Sequence, residues 1–254
     1  IGNRVGVSPR RFESCPHRLF MRTIFLNSWY AKAGRDFYDF ISKNSPNTDI
    51  FCLSEIHPRL FSELNSLLPD FQGFYEEGKM DKYMGFVYGQ AVFARRGIKI
   101  LDRDKMDIFR NVYNDLGWAT VFGLGNPKRF YLANIHGKAR PGHKLDTPAR
   151  LRQSERIIKF FKDKKWPKII GGDFNLMPQT KSVRMFEEAG YRNLIKDFKI
   201  KRTRNRLTWE QFPNEEKQYF ADYVFVSPEV KVKKFKVPHI ETSDHLPLIL
   251  EFEI

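Results

Sequence analysis

Eight polar side chains of this sequence stand where apolar runs stop. Asn27 ends "TIFLN", Glu55 ends "IFCLSE" and His136 ends "YLANIH". Asp173 and Asn175 close "IIGGDFN", Asp222 opens "DYVFV", and Asp244 and His245 stand in "TSDHLPL" before the last apolar run. Taken singly, an Asp or Asn at such a place is commonly a turn former or a helix cap. Taken together the types make chemical sense. Glu, Asp and Asn are oxygen ligands for a hard cation such as Mg²⁺. A His beside an Asp is an acid/base or electrostatic unit, and a second His can donate to a developing oxyanion. Cation, oriented water and imidazoles suit hydrolysis of a phosphate ester. The chain has no P-loop, no serine nucleophile elbow and no Cys/His zinc spacing, which removes the main competing chemistries.

The elements that must position these residues follow from periodicity. Strands are expected at 22–27, 48–55, 83–96, 118–124, 129–136, 167–173, 221–227 and 247–254. In the last, Leu248, Leu250, Phe252 and Ile254 alternate with Glu251 and Glu253, the pattern of a half-exposed strand. Helices are expected in "GRDFYDFISKN", "RLFSELNSLL", "DTPARLRQSERIIKFFKD" and "TKSVRMFEEAG". The third has Thr147 as N-cap, Pro148 at the first helical position and an apolar stripe through Leu151, Ile157, Ile158 and Phe161; the fourth stops at Gly190. Many strands with a few helices between them point to two packed sheets with helices outside. No linker or repeat divides the chain, so residues 21–254 read as a single domain after an N-terminal extension, 1–20.

Lys plus Arg exceed Asp plus Glu by 14, a bias that favours polyanionic partners. Cys15 and Cys52 suggest no disulfide framework, and Cys52 reads as a buried thiol, so a reducing, intracellular compartment is expected, cytoplasmic unless the Arg-rich, acid-poor first twenty residues are an organelle leader. No apolar run approaches the roughly 18 residues that cross a bilayer. A monomer is expected.

The ordered set "TIFLN", "CLSE", "GGDFN", "DYVFV" and "SDHLPL" resembles the endonuclease/exonuclease/phosphatase superfamily, also called the DNase I-like fold. "GQAVFARR" is similar to that family's central strand, with Gln90 in place of the usual Asn, and "RLRQSERI" is similar to its R-x-x-Q helix through Arg150 and Gln153. The resemblance implies an α/β fold, a four-layer α/β/β/α sandwich of two packed mixed sheets flanked by helices. It implies Mg²⁺, with Mn²⁺ as a substitute, held by Glu55 with Asn27 beside it and Asp244 assisting. It implies that Asp173 and Asn175 orient the attacking water and the phosphate, that Asp222 pairs with His245 at the phosphate, and that His136 stabilises the leaving side. Where related nucleases often carry a further acidic or polar residue after the Asn, this chain has "NSW", which speaks against a second metal site. The glycines of "GGDFN" keep side chains away where backbone and substrate approach closely.

Two basic loops adjoin these motifs. "GKARPGHK" supplies Lys138, Arg140, His143 and Lys144. "KDFKIKRTRNRLTW" supplies Lys196, Lys199, Lys201, Arg202, Arg204 and Arg206, and Trp209 could stack on a base. Lys199, Lys201, Arg202, Arg204 and Trp209 are therefore expected substrate contacts, with Arg150 of the R-x-x-Q helix added by the family resemblance, and a nucleic acid, DNA or RNA, is the expected substrate. The alternatives are a phosphatase or phospholipase of the same superfamily, acting on inositol phosphates or sphingomyelin, and a non-catalytic nucleic-acid-binding module.

Overall fold

The computed structural model of the chain describes residues 20–81, 85–108, 118–125, 128–211, 213–214 and 216–254. The expected extension falls on residues outside these, except its last position, as do Cys15, Tyr83 and Met84.

Among the described residues, twelve strands form two six-stranded mixed sheets. The first sheet runs, edge to edge, β11 (Lys231–Lys236), β12 (Leu248–Glu253), β1 (Met21–Asn27), β2 (Ile50–Ile56), β4 (Phe86–Arg95) and β3 (Phe71–Asp81). The second runs β5 (Lys99–Asp107), β6 (Trp118–Gly125), β7 (Arg129–His136), β8 (Lys168–Asp173), β10 (Asp222–Val226) and the two-residue β9 (Arg192–Asn193). Strand alternation explains the layering. Phe25, Ile50 and Cys52 point inward and join residues of the second sheet in one core. Their neighbours Ile24, Leu26, Phe51 and Leu53 point outward and pack on Phe37, Phe40 and Ile41 of α1 (Arg35–Asn44) and Leu60 and Leu64 of α2 (Pro58–Leu67). On the far side, Ile157 and Phe161 of α3 (Pro148–Lys162) and Val183 and Phe186 of α4 (Lys181–Glu188) cover the second sheet. Two short helices, α5 (Leu194–Asp197) and α6 (Arg206–Gln211), come next along the chain. The result is the four-layer α/β/β/α sandwich.

Helix starts obey their caps. Thr147 accepts a hydrogen bond from the Arg150 amide and Pro148 opens α3, as read from sequence, while Gly190, at φ +88°, lies just past α4. The buried face of α3 differs from the expected stripe. It runs through Arg150, Gln153, Ser154, Ile157 and Phe161, with Leu151 and Ile158 only partly covered, because the first two turns hold a loop rather than a sheet. No helix among the described residues is long and apolar enough to cross a membrane. Cys52 is fully buried, and burial pushes its thiol up.

Strand register brings the polar strand ends together. β7 runs parallel to β8, which places His136 opposite Asp173. β8 runs antiparallel to β10, which places Asp173 opposite Asp222. In the first sheet, parallel β1 and β2 set Asn27 opposite Ser54, next to Glu55. The sheets are tied together by buried amides: Gln90 donates to the Asn134 carbonyl at 3.1 Å, Asn134 donates to the Leu53 carbonyl at 3.0 Å, and Thr120 donates to Gln90 at 3.0 Å. These bonds fix the two polar strand ends at one depth.

Candidate active site

His136, Asp173 and Asp222 thus form one row across three adjacent strands, each nearly inaccessible to solvent. The first sheet meets this row through Asn27. Its Nδ2 donates to Glu55 Oε1 at 3.0 Å and to Asp173 Oδ2 at 3.1 Å, while its Oδ1 accepts from the Trp29 amide at 3.0 Å. Asn27 therefore bridges the two carboxylates, one from each sheet. Glu55 and Asn175 adopt left-handed backbone at φ +56° and +54°, and Trp29, Tyr30 and Ala31 do so in succession at +48°, +55° and +58°. Non-glycine residues held there carry strain that surrounding contacts must offset, and such strain gathers at functional sites. Ser28 Oγ donates to the Glu55 carbonyl at 2.8 Å and Ser243 Oγ to the Asn27 carbonyl at 2.7 Å, which pins both turns.

Asp173 accepts three hydrogen bonds. Besides Asn27, the Asn175 amide donates to Oδ1 at 2.9 Å and Asn175 Nδ2 to Oδ2 at 3.1 Å. Burial alone would raise its pKa, but the charges of His245 and Lys144, with the Asn27 hydrogen bond, outweigh burial and hold the carboxyl below its ordinary range. His245 enters from the loop before β12. Its Nδ1 lies 2.9 Å from both oxygens of Asp222, and its Nε2 faces Asp173 Oδ2 at 3.9 Å. Burial would lower this imidazole, yet the carboxylates of Asp222, Asp244 and Asp173 raise it to about 9. His245 is therefore an imidazolium at neutral pH. Thr203 Oγ1 accepts from the Asp222 amide at 3.1 Å and steadies that end of the pair.

His136 differs. Burial lowers it to about 4, so it is neutral, with Nε2 3.7 Å from Glu55 Oε1. Glu55 is pushed up to about 7, first by burial and then by the nearby Asp244 carboxylate. Asp244 accepts from Gln211 Nε2 of α6 at 3.3 Å. Four carboxylates, Glu55, Asp173, Asp222 and Asp244, converge here from four separate segments, with repulsion that a cation would relieve. Oxygen donors without thiolates fit a hard divalent ion, and Glu55 and Asp244, the carboxylates expected from sequence to hold it, are close enough for the charge of Asp244 to act on Glu55. Asp173, Asp222 and His245 also place one ligand atom each within 4.8 Å of one another, but His245 Nδ1 already faces Asp222 and only Nε2 is available to a phosphate or ion.

The expected substrate contacts separate. Arg150 is fully buried, and its guanidinium donates to the carbonyls of Lys138, Ala139, Pro141 and Leu145 at 2.6–3.3 Å. It holds the loop after β7 in place and is shut off from solvent. Gln153 does the same work, accepting from the Lys138 amide at 2.8 Å and donating to the Phe174 carbonyl at 3.2 Å. Of the second basic loop, Lys196 pairs with Glu187, and Arg206 pairs with Glu210 and Glu241. Arg202 meets the ring of His239 at 3.2 Å. Lys199 and Lys201 remain exposed and make no ion pair among the described residues. Trp209 is half-buried, edge-on to Tyr219 at 5.2 Å with the Lys217 ammonium 5.4 Å from its ring, so its ring is already packed. Arg204 is buried and bridges through its backbone to His245, beside the site. Lys144, read from sequence only as one of several loop cations, is buried with its Nζ on Asn175 Oδ1.

A profile described as "Endonuclease/Exonuclease/phosphatase family" matches residues 25–245, the span from "FLN" to "SDH". The chain belongs to this family. Among solved structures it is similar to an endonuclease/exonuclease/phosphatase from Bacteroides vulgatus, at 21% identity over 92% of this chain and 99% of that one, TM-score 0.72. It is similar to the Bacteroides thetaiotaomicron mannosyl-6-phosphatase Bt3783, at 19% identity, 92% and 100% coverage, TM-score 0.68. It is also similar to D. rerio TDP2 complexed with a single-strand DNA product, at 17% identity, 92% and 99% coverage, TM-score 0.69. No curated protein matches it by sequence. The family's members are phosphoesterase hydrolases, and the four-layer sandwich is the fold they share.

Proposed function

We propose that the protein is a divalent-cation-dependent phosphodiesterase acting on nucleic acid. The observation that carries the reading is the in-register row His136, Asp173 and Asp222, met by Asn27 and Glu55 from the opposite sheet. Asp173, held ionised chiefly by the charges of His245 and Lys144, is placed to orient a water and take its proton. His245, kept protonated by Asp222, presents Nε2 to a non-bridging phosphate oxygen. Neutral His136 retains a proton to share with the leaving oxygen. Glu55 and Asp244, with Asn27 between the carboxylates, would hold Mg²⁺ or Mn²⁺, which supplies charge neutralisation at the phosphoryl oxygens when bound.

Nucleic acid is favoured by the net charge of +14, by the exposed Lys199 and Lys201, and by the likeness to TDP2, whose structure holds a DNA product. A second reading, hydrolysis of a small phosphomonoester, is favoured by two other observations. Lys196 and Arg206 are neutralised by neighbouring carboxylates, and one similar structure is named a mannosyl-6-phosphatase. The discriminating experiment is an activity panel with Mg²⁺ and Mn²⁺ on single- and double-stranded DNA, RNA, abasic DNA, 5′-tyrosyl DNA, inositol phosphates, sugar phosphates and sphingomyelin. Turnover confined to small phosphates would remove the nuclease reading.

A further inference from the structure

Two cations in the site have no anionic partner among the described residues. Lys144, on the loop between β7 and α3, is 6% exposed, and Arg204, on the segment before α6, is 8% exposed. An unpaired charge is among the least favourable groups to bury. Lys144 Nζ donates to the neutral Oδ1 of Asn175 and makes no ion pair with the described residues. The buried Nε of Arg204 has no hydrogen-bond partner, and its guanidinium meets no carboxylate among the described residues. The nearest anions are already engaged: Asp173 by Asn27 and Asn175, and Asp222 by His245. The two cations also repel each other. After burial, the charge of Arg204 is the next cause that brings Lys144 down to about 8.

Their position gives this imbalance a purpose. Glu55, Asn27, Asp173, Asn175 and Lys144 form one hydrogen-bonded chain, with Glu55 at one end and Lys144 at the other. Arg204 bridges to His245 on the neighbouring segment. The carboxylate expected to hold the cation and the Lys144 ammonium therefore stand at opposite ends of this row, and Arg204 lies near enough to Lys144 for its charge to act on it.

We propose that Lys144 and Arg204 clamp the non-bridging oxygens of the phosphoryl group under attack. This deepens the phosphoester reading of the site and rests on it. In the reaction, the water oxygen bonds to phosphorus, its proton passes to Asp173, the ester P–O bond breaks and the leaving oxygen takes a proton from solvent, to which Asp173 then returns the one it took. A diester enters with one negative charge and gains a second as the water is deprotonated. Two buried cations with no other partner match that doubled charge, and fixed charges of this kind act most where charge develops.

The test uses Lys144→Met and Arg204→Met with two readouts. The first is binding of inorganic phosphate to the metal-free protein by calorimetry. The second is kcat and KM on whichever ester the activity panel identifies. Wild type should bind phosphate, and each variant should bind it at least ~10-fold more weakly; loss of one such donor lowers kcat by roughly 10²–10³-fold with KM changed less. Lys144→Arg and Arg204→Lys should recover part of both. Equal phosphate affinity in wild type and both Met variants overturns the clamp. Should the Met variants fail to fold, wild type alone decides. Phosphate should raise its melting temperature above that in chloride at equal ionic strength, and no rise overturns the proposal. Phosphate binding that depends on Lys144 and Arg204 in a protein that hydrolyses no ester upholds the two residues as a phosphate site and removes the phosphodiesterase reading instead.

Discussion

Replacing Asp222 with Asn should drop the pKa of His245 sharply. The imidazole stands at about 9 against an ordinary 6.5, with both Asp222 oxygens 2.9 Å from its Nδ1. That difference corresponds to roughly 3 kcal/mol at about 1.4 kcal/mol per factor of ten in proton affinity. Asp222 heads the groups that raise it, ahead of Asp244 and Asp173, so most of this should vanish in the variant, and burial should then pull the ring below 6.5. Linkage sets the sign for stability. A group whose folded pKa is raised contributes stability that is full below its unfolded pKa and is lost as pH climbs through the folded value. Asp222→Asn should therefore be destabilised by roughly 3 kcal/mol near pH 6 and by roughly 2 kcal/mol near pH 7.5, converging on wild type above about pH 9. The assay is an NMR titration of the His245 ring in chelator-treated protein, with denaturant melts across the same pH range. A His245 pKa that stays near 9 in Asp222→Asn, or a stability gap that does not narrow between pH 6 and pH 9.5, would refute the reasoning.

Because Glu55 is pushed up to about 7, affinity for Mg²⁺ should fall as pH drops below that value and binding should release a proton there; calorimetry in buffers of different ionisation enthalpy reads this directly. Neutralising Lys199 and Lys201 should reduce the slope of log affinity against log salt for DNA by about 1–2, whereas an unchanged slope places the nucleic acid elsewhere. Gly172→Ala should destabilise by roughly 2–4 kcal/mol, since a side chain there is strained and crowded. The backbone φ is +128°, and a Cβ would lie 2.3 Å from the Ile135 carbonyl oxygen. A chemical melt within 1 kcal/mol of wild type would count against that tight β7–β8 approach.

Much of the site could be read from sequence because polar residues interrupt apolar runs there, and that contrast survives without coordinates. Asn27, His136, Asp173 and Asp222 sit at the end of a largely buried strand, and Glu55 one residue from the end of another. The strands that escaped notice lack that contrast. β5 exposes nearly every residue, β11 buries only Phe235, and β3 joins them at a sheet edge; at edges charge replaces apolar alternation. Lys144 and Arg150 were illegible for another reason. Each is a cation in a basic, loop-adjacent stretch, and only the fold shows one buried on Asn175 and the other fastened to four carbonyls. The edge-on contact of Trp209 with Tyr219 is likewise set by the fold and leaves no local mark in the sequence.

The most direct measurement is the hydrolysis rate of a phosphate ester substrate with Mg²⁺, compared between wild type and Glu55→Gln. That substitution keeps the shape and the Asn27 contact and removes the charge. Mg²⁺-dependent turnover in wild type, lost by at least ~10²-fold in a variant with a native melt, is the predicted result. Equal rates in the two proteins, or turnover indifferent to chelation, would contradict it.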